Sequence, residues 1–167
     1  LLATTATAQV DAAHEHVGPD TIAKFLFTSG STKLPKGVIN TQRMLCSNQQ
    51  MIRQCFPHLA EEPPVMVDWL PWNHTFGGNH NVGIAVYNGG TLYIDEGKPT
   101  AAAIHETLRN LREISPTIYF NVPKGFEEIA SAMDHDAQLR ETLFSKVRAF
   151  MFAGAGLSQA VWDKLDA

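Results

Sequence analysis

Apolar residues follow two kinds of spacing along most of this chain. Short apolar runs predict strands, and stretches whose apolar residues recur three or four positions apart predict helices. The runs that predict strands lie at 24–27, 38–40, 65–70, 91–94, 117–120 and 147–152. The stretches that predict helices lie at 44–56, 82–87, 104–114, 126–133, 139–144 and 161–165. Strands that alternate with amphipathic helices predict an α/β fold with a mostly parallel sheet and flanking helices.

The same pattern predicts which segments are buried and which are not. Leu26 and its apolar neighbours predict a buried strand, and Thr41 is a candidate N-cap for the helix that follows. The stripe that contains Met44 and Met51 is expected to pack in the core. Residues 71–80 are expected to break regular structure. Residues 1–20 are small and polar, which predicts a flexible N-terminal segment before one domain over residues 21–167.

Composition and charge narrow the class of protein. The chain has 167 residues, 44% of them hydrophobic, and a formal net charge of −4, which is typical of a globular domain without a basic nucleic-acid surface. No apolar run approaches the length of a membrane span, and no signal peptide is visible. Cys46 and Cys55 fall in one predicted helix and are too far apart to pair, so free thiols favour a cytoplasmic location.

Three chemically rich loops follow predicted strands, at residues 28–37, 71–80 and 153–158. In parallel sheets, ligands bind at the carboxyl ends of the strands, so we expect a site where these loops meet. The first loop reads TSGSTKLPKG and concentrates hydroxyl, amide and ammonium donors, which suit a polyphosphate. A P-loop is excluded because Pro35, Lys36 and Gly37 stand where that motif needs Gly, Lys and Ser or Thr. The alternative is a polar surface turn.

The first loop resembles the T-S-G-[ST]-T-G-x-P-K-G signature of the adenylate-forming enzymes, which include acyl-CoA synthetases and adenylation domains. The resemblance implies that the loop holds the β- and γ-phosphates of ATP and that Thr32 also contacts Mg²⁺. The residues that it assigns to the nucleotide are Thr28, Ser29, Gly30, Ser31, Thr32, Lys36 and Gly37. Lys33 departs from the family, which has glycine at that position.

The other two loops resemble further segments of the same family. Residues 70–77 are similar to L-P-x-x-H-x-x-G, which implies that His74 lies between the nucleotide and the acyl group. The aromatic residues Trp72, Phe76, Tyr119 and Phe120 are expected to form a flat acyl pocket together with His74. The alternative is that these aromatic residues are ordinary core. His80 matches nothing in the motif and is expected to be structural. Residues 153–158 resemble G-G-A-P-L-S, which implies that the adenine lies on Gly154, Ala155 and Gly156, with Gly156 in place of the usual proline.

Within the family the chain looks most like the feruloyl-CoA synthetases, on residues 37–45 and 69–78. That resemblance implies ATP-dependent activation of an aromatic, ferulate-like acid through an acyl-adenylate to its coenzyme A thioester. The family's Y-G-x-T-E segment, ribose-binding aspartate and C-terminal lysine would follow residue 167. We therefore expect residues 21–167 to be an internal part of the family's large N-terminal domain. This piece is expected to be inactive alone and to self-associate through exposed apolar surface. The alternatives are an adenylation domain that loads a carrier protein and a non-catalytic nucleotide-binding module.

Overall fold

The computed structural model describes residues 3–28 and 34–166, and the chain divides into two compact units, Leu1–Gln50 and Met51–Ala167. The strands are β1 (Ile22–Thr28), β2 (Lys36–Thr41), β3 (Val65–Asp68), β4 (Thr91–Ile94), β5 (Ile118–Asn121) and β6 (Ala149–Phe152). The helices are α1 (Ala8–Glu15), α2 (Gln42–Cys55), α3 (His58–Glu61), α4 (Val82–Tyr87), α5 (Ile104–Glu113), α6 (Pro123–Met133), α7 (Ala137–Phe144) and α8 (Gln159–Asp166). A π-helix covers Thr75–Asn81 and is called the π segment below.

The first unit is built on an antiparallel hairpin of β1 and β2. The prediction that β1 is a buried strand is wrong, because Phe25 and Phe27 are 55% and 72% exposed. Phe25 pairs with Ile39, so the two side chains share one face of the hairpin. Ile39 is itself 50% exposed. A ribbon of two strands is too narrow to bury its own faces, whatever the apolar content of the strands.

The first two helices are α1, which lies in the first unit, and α2, which begins in the first unit and ends in the second. α1 lies in the stretch that was expected to be flexible. All its residues are exposed, and an exposed helix needs no apolar face, so the sequence shows no apolar periodicity that would predict it. α2 begins as predicted, with the Thr41 Oγ1 accepting a hydrogen bond of 3.4 Å from the Met44 backbone N–H. The expected core packing of its stripe is wrong for Met44 and Met51, which are 56% and 53% exposed. Helical spacing shows which residues share a face, but not whether that face is covered.

The second unit contains two parallel strand pairs, β3 with β4 and β5 with β6. Thr117 joins the pairs at one end, because its N–H donates to the Val65 carbonyl (2.9 Å) and its Oγ1 accepts from the Val65 N–H (2.9 Å). At the other end, the Trp69 Nε1 donates to the Asn121 Oδ1 (3.1 Å). β3 and β5 therefore run in the same direction, in the order β4-β3-β5-β6. This arrangement confirms the predicted α/β fold with a mostly parallel sheet.

Alternation along the strands divides the core of the second unit into two clusters. Tyr119 and Phe120 are neighbours on β5, yet Tyr119 belongs to one cluster and Phe120 to the other. The buried members of the first cluster are Val67, Leu111, Tyr119, Phe126, Ile129, Ala130, Met133, Leu139 and Leu143. Those of the second are Leu59, Met66, Ile84, Ala85, Ile118 and Phe120. A side chain on β5 therefore belongs to one layer or the other, but not to both.

Two further expectations bear on the class of protein. Over residues 3–28 and 34–166, none of the helices has the length and apolar character needed to cross a bilayer. Cys46 and Cys55 are both free and exposed.

Candidate functional site

Buried polar side chains mark the carboxyl ends of the parallel strands in the second unit. Asp68 ends β3, Asp95 follows β4 and Asn121 ends β5, and their exposed fractions are 3%, 5% and 1%. The loop at 71–80 leaves the sheet at this edge, and the loop at 153–158 follows the carboxyl end of β6. Burying a polar group costs free energy, so buried polar side chains are expected to be hydrogen-bonded or functional. Ligands bind at the carboxyl ends of parallel strands, so this edge is the candidate site.

The loop after β3 is more regular than its sequence predicts. It was expected to lack regular structure, but residues Thr75–Asn81 form the π segment, and the Val82 N–H bonds to the Gly77 carbonyl five residues earlier. Glycine is required here by contact with the preceding chain. A Cβ on Gly77 would lie 2.6 Å from the Leu70 carbonyl oxygen, and one on Gly78 would lie 2.0 Å from the Trp72 oxygen. π-helices are rare in proteins overall, but those that occur are often found at functional sites.

His74 is the N-cap of the π segment. Its Nδ1 accepts a hydrogen bond of 3.2 Å from the backbone N–H of Phe76. An accepting nitrogen carries no proton, so the neutral ring of His74 bears its proton on Nε2. The side chain is exposed, and the nearby Trp72 is 52% exposed. His74 can therefore offer an N–H donor to a ligand at this edge of the sheet.

An aromatic cluster lies beside the π segment. The ring of Phe120 is 6.2 Å from that of Phe76 and 4.9 Å from that of His80, and Phe76 and His80 are 5.7 Å apart, all edge to face. The structure thus brings together two of the residues expected in the acyl pocket, Phe76 and Phe120. It adds His80, which the sequence left as structural. It places Tyr119 in the other layer, with its ring 5.8 Å from Phe126.

Asp68 lies beneath the π segment at the end of β3. Its Oδ1 accepts hydrogen bonds from the Leu70 N–H (3.2 Å) and the Asn81 Nδ2 (3.0 Å), while its Oδ2 is buried with no hydrogen-bond partner. The Asn81 Oδ1 lies 2.8 Å from the His80 Nδ1. Burial raises the pKa of Asp68 to about 6, and the nearby charge of Asp95 adds to this shift.

Asp95 orders the connection between β4 and α5. Its Oδ1 accepts from the Gly97 N–H (2.8 Å) and the Asn110 Nδ2 (3.0 Å), and its Oδ2 accepts from the Thr107 hydroxyl (2.5 Å). A Cβ on Gly97 would lie 2.0 Å from the Thr107 Oγ1, so the turn is closed against the helix. All of these hydrogen bonds join Asp95 to other residues of the same connection and helix, so we assign Asp95 the role of stabilising this edge of the sheet.

Asn121 also stabilises this edge of the sheet, at the end of β5. Its Oδ1 accepts from the Val122 N–H (2.8 Å) in addition to Trp69, and its Nδ2 donates to the Tyr119 hydroxyl (3.0 Å). Burial raises the pKa of Tyr119 above its usual range. Sequence reasoning did not single out Asp68, Asp95 or Asn121. The available signal was a carboxylate or carboxamide at the end of an apolar run, where burial without a partner would be costly.

The structure describes only the two ends of the expected phosphate loop. Thr28 and Lys36 are exposed and pair with each other at the end of the β1–β2 hairpin where the chain connects the two strands, and the next residue, Gly37, pairs with Phe27. The middle of the expected loop, with Ser29, Gly30, Ser31, Thr32 and Lys33, lies outside the described residues. The loop that was expected to bind phosphate is therefore the connection between two antiparallel strands.

The segment expected beneath the adenine follows β6 and is exposed. Gly154 has a φ of +98°, a conformation that favours glycine. Among the described residues, no atom lies within 4 Å of the place where a Cβ on Gly156 would stand, so they leave the surface there open. Ala155 between them is exposed as well.

Metal ligands were expected only at Thr32, which lies outside the described residues. Across the described ranges, 3–28 and 34–166, His, Cys, Asp and Glu side chains form no group of three or more that could hold a metal ion. His14 and His16, which flank Glu15, belong to no such group.

A family model described as AMP-binding enzyme matches residues 2–167. The chain belongs to this AMP-binding enzyme family. The match spans the hairpin connection, the π segment and the segment after β6 alike.

Curated relatives of this AMP-binding chain are much longer than the chain itself. A medium-chain-fatty-acid–[acyl-carrier-protein] ligase, TtuA, from Teredinibacter turnerae is 41% identical over 75 residues, 45% of this chain and 11% of that protein. The long-chain-fatty-acid–CoA ligase ACSBG2 of Gallus gallus is 26% identical over 83% of this chain and 18% of its own length. A naringenin synthase from Pestalotiopsis fici is 27% identical over 90% of this chain and 5% of its own. The chain thus spans a fifth or less of these relatives.

Solved structures share the fold. A malonyl-CoA ligase complex with methylmalonyl-CoA and AMP matches with a TM-score of 0.74 and 22% identity, over 89% of this chain and 30% of that one. The anthranilate CoA ligase AuaEII with anthranoyl-AMP matches with a TM-score of 0.72 and 22% identity, over 89% of this chain and 27% of that one. At this identity the likeness establishes the architecture of the AMP-binding chain and nothing about its substrate.

Proposed function

We propose that this chain is the nucleotide- and acyl-binding part of an AMP-forming acid–CoA ligase. In the first step, a carboxylate oxygen of the acid attacks the α-phosphorus of ATP, and the bond to pyrophosphate breaks. In the second step, the thiol of coenzyme A attacks the carbonyl carbon of the acyl-adenylate, and AMP leaves. Both steps depend on positioning the reactants and on stabilising the negative charge that develops at oxygen.

The observation that carries this proposal is the state of His74. Because its Nδ1 is occupied by the Phe76 N–H, His74 offers an Nε2–H donor beside the aromatic cluster. We assign that donor to an oxygen of the acid or of the α-phosphate. A preformed donor of this kind stabilises developing charge without having to reorganise during the reaction.

The nucleotide is assigned to the two remaining loops. Thr28, Lys36 and Gly37 would hold the phosphates together with residues 29–32, and Lys36 contributes a positive point charge. Mg²⁺ on those phosphates, in contact with Thr32, would neutralise part of their charge. Gly154, Ala155 and Gly156 would lie beneath the adenine, and their open surface supports a flat ligand. In neither step does a protein residue transfer a group to the metal.

We propose an aromatic, ferulate-like acid as the substrate. Phe76, Phe120 and His80 pack edge to face in a single cluster in which Phe120 is 2% exposed, and Trp72, in the same loop as Phe76 and His80, is half-exposed. Flat aromatic walls favour a flat substrate ring over an extended alkyl chain of equal area. Tyr119 is excluded from this pocket because it faces the opposite layer of the sheet.

The test uses the complete protein that carries this chain. ATP–pyrophosphate exchange is followed with ferulate and, separately, with a medium-chain fatty acid. We expect exchange with ferulate, and we expect His74→Ala to lower its rate by about a hundredfold. His105→Ala is the matched control, because His105 is an exposed histidine on α5 and belongs to none of the three loops. Exchange that is unchanged in His74→Ala would remove His74 from the site, and exchange with the fatty acid alone would remove the aromatic assignment.

A carrier protein is the second candidate for the acceptor. The identity of 41% over 75 residues to a ligase that loads an acyl carrier protein favours it specifically. Presenting the adenylated protein with coenzyme A or with a holo carrier protein separates the two, since only the true acceptor releases AMP. A protein that binds ATP but shows no exchange with any acid would be the non-catalytic module instead.

A further inference from the structure

Beneath the π segment, a chain of three side chains reaches from the sheet to the aromatic cluster. We propose that Asp68 is a positioning residue which, through Asn81, fixes His80 in the tautomer with its proton on Nδ1 and holds that ring against Phe120. The geometry stands by itself, whereas its consequence for catalysis rests on the proposed ligase function.

The first step fixes the amide of Asn81. The Asp68 Oδ1 already accepts a hydrogen bond from the backbone N–H of Leu70, at 3.2 Å, so this oxygen acts as an acceptor. The group of Asn81 that lies 3.0 Å from it must therefore be the donor, the side-chain NH₂. Asn81 is fully buried and Asp68 is 3% exposed, so no water competes for either group. The orientation of the amide, which is ordinarily ambiguous, is settled by its partner.

The second step fixes the tautomer of His80. With its NH₂ directed at Asp68, Asn81 presents its carbonyl oxygen to the His80 Nδ1, at 2.8 Å. A carbonyl oxygen only accepts, so the His80 Nδ1 must carry a proton. In the neutral ring, Nε2 is then the acceptor nitrogen. His74, six positions earlier in the same loop, is held in the opposite tautomer by the Phe76 N–H.

The third step connects the tautomer to the pocket. The ring of His80 lies 4.9 Å from that of Phe120 and 5.7 Å from that of Phe76. His80 therefore packs in the same aromatic cluster, and its tautomer decides which of its two ring nitrogens donates. Without an acceptor at position 68, the amide of Asn81 is free to rotate and turn its NH₂ toward His80. The proton of the neutral ring would then move to Nε2.

The decisive experiment is nitrogen NMR of the complete protein, labelled with ¹⁵N-histidine, at about pH 8.5, where a histidine of ordinary pKa near 6.5 is neutral. Protonated and unprotonated ring nitrogens have well-separated shifts, and the His80 signals are assigned by their loss in His80→Gln. We expect His80 to carry its proton on Nδ1 and His74 to carry its proton on Nε2. A neutral His80 protonated mainly on Nε2 in the unsubstituted protein would overturn the proposal by itself.

Two variants test the origin of the tautomer. Asp68→Asn retains an oxygen that accepts, so we expect the Nδ1–H form to persist. Asp68→Ala removes it, so we expect most of the His80 signal to change to the Nε2–H form. Asp11→Ala, at an exposed carboxylate on α1, is the control for loss of an acidic side chain and should leave both histidines unchanged. A tautomer that is the same in Asp68→Ala and in the unsubstituted protein would remove Asp68 from the proposal.

The spectrum does not depend on the reaction. If the protein fails to catalyse exchange but shows the expected tautomers, the ligase proposal fails and the positioning proposal stands. If the protein is active, the ratio of kcat to KM for the acid should fall at least tenfold in Asp68→Ala and be largely restored in Asp68→Asn. Equal losses in the two variants would mean that the charge of Asp68, and not its hydrogen bond, acts on the site.

Discussion

The indole Nε1 of Trp69 donates a hydrogen bond of 3.1 Å to the Oδ1 of Asn121 and so joins the carboxyl ends of β3 and β5. Asn121 is 1% exposed, and the same Oδ1 accepts from the Val122 N–H at 2.8 Å, at the start of α6. One carboxamide therefore links two strands and a helix at the edge where the candidate site lies. The bond fixes the direction of Trp69, and with it the point from which the following loop departs.

Removing the indole donor should weaken the fold modestly. We expect Trp69→Phe to lower the free energy of unfolding by about 1 kcal/mol, because one net hydrogen bond is lost while the ring is kept. Asn121→Leu should cost more, about 2–3 kcal/mol, since it leaves the part-buried donors of Trp69 and Val122 without their acceptor. Urea unfolding measures both values. Trp72→Phe, at a half-exposed indole, is the control, and a loss as large as that in Trp69→Phe would contradict the assignment.

The sequence predicted the regular elements of the second unit well because each carries its own local signal. The parallel sheet followed from the alternation of short apolar runs with helical stripes. The start of α8 carries a capping residue, Ser158, whose Oγ accepts a hydrogen bond of 3.4 Å from the Val161 N–H. These features depend on residues close to one another in sequence, where propensity and spacing act directly.

The π segment and the exposed faces could not be predicted for a different reason. Gly77 and Gly78 read as helix breakers, and only their contact with the backbone of residues 70–72 makes a π-helix the stable solution. Met44 and Phe27 belong to apolar patterns of the kind that core segments have. Whether the apolar face of such a segment is buried depends on what packs against it, which the pattern does not show. The link from Asp68 to His80 depends on a hydrogen bond across thirteen positions, which no local pattern encodes.

Asp68 should give the fold an unusual dependence on pH. Its pKa is raised from 3.8 to about 6 in the folded protein, mainly by burial. Between about pH 4 and pH 6 the folded state therefore binds more protons at this position than the unfolded state does. Its contribution to stability is full below pH 4 and is lost as the pH rises through 6, a change of about 3 kcal/mol.

Asp68→Asn isolates this effect, because it removes the titration and keeps an accepting oxygen. The free energy of unfolding, measured by urea titration at a series of pH values, should fall more steeply between pH 4 and pH 6 in the unsubstituted protein than in the variant. Asp134 and Asp136 have lowered pKa values, which give the opposite slope at lower pH and are common to both proteins. Parallel curves for the two proteins would show that Asp68 titrates normally.

Gly78 should not tolerate a side chain. A Cβ at this position would lie 2.0 Å from the Trp72 carbonyl oxygen, a backbone atom that moves only with the loop. We expect Gly78→Ala to lower the free energy of unfolding by about 1–3 kcal/mol, as overpacking does. Gly18→Ala is the control, because no atom lies within 4 Å of its Cβ position. Equal stability of the two variants would mean that the loop adjusts freely and that the π segment is not held by this contact.

The hairpin should promote self-association of the chain. Phe25, Phe27 and Ile39 are all at least half-exposed, and two of them pair across the strands to form a continuous apolar face. We expect light scattering to show a mass that rises with protein concentration, and Phe27→Ser to shift this rise to higher concentration. Val86→Ser removes an exposed apolar residue from α4, in the other unit, and is the control. A monomer at every concentration would exclude this role for the face.

Lys36 should contribute to binding of the triphosphate in the complete ligase. It is exposed at the start of β2 and pairs with Thr28, so it lies at the end of the hairpin where residues 29–35 connect the two strands. A hydrogen bond to a charged group contributes about 1.5–3 kcal/mol, so we expect Lys36→Ala to reduce ATP–pyrophosphate exchange by roughly ten- to a hundredfold. Lys36→Arg keeps the charge but changes its shape, and it should recover only part of the rate. Lys146→Ala, at an exposed lysine in the turn before β6, controls for loss of a positive charge elsewhere. If Lys36→Ala and Lys146→Ala exchange at the same rate as the unsubstituted protein, the hairpin connection is a polar surface turn, and the phosphates must be held by other residues.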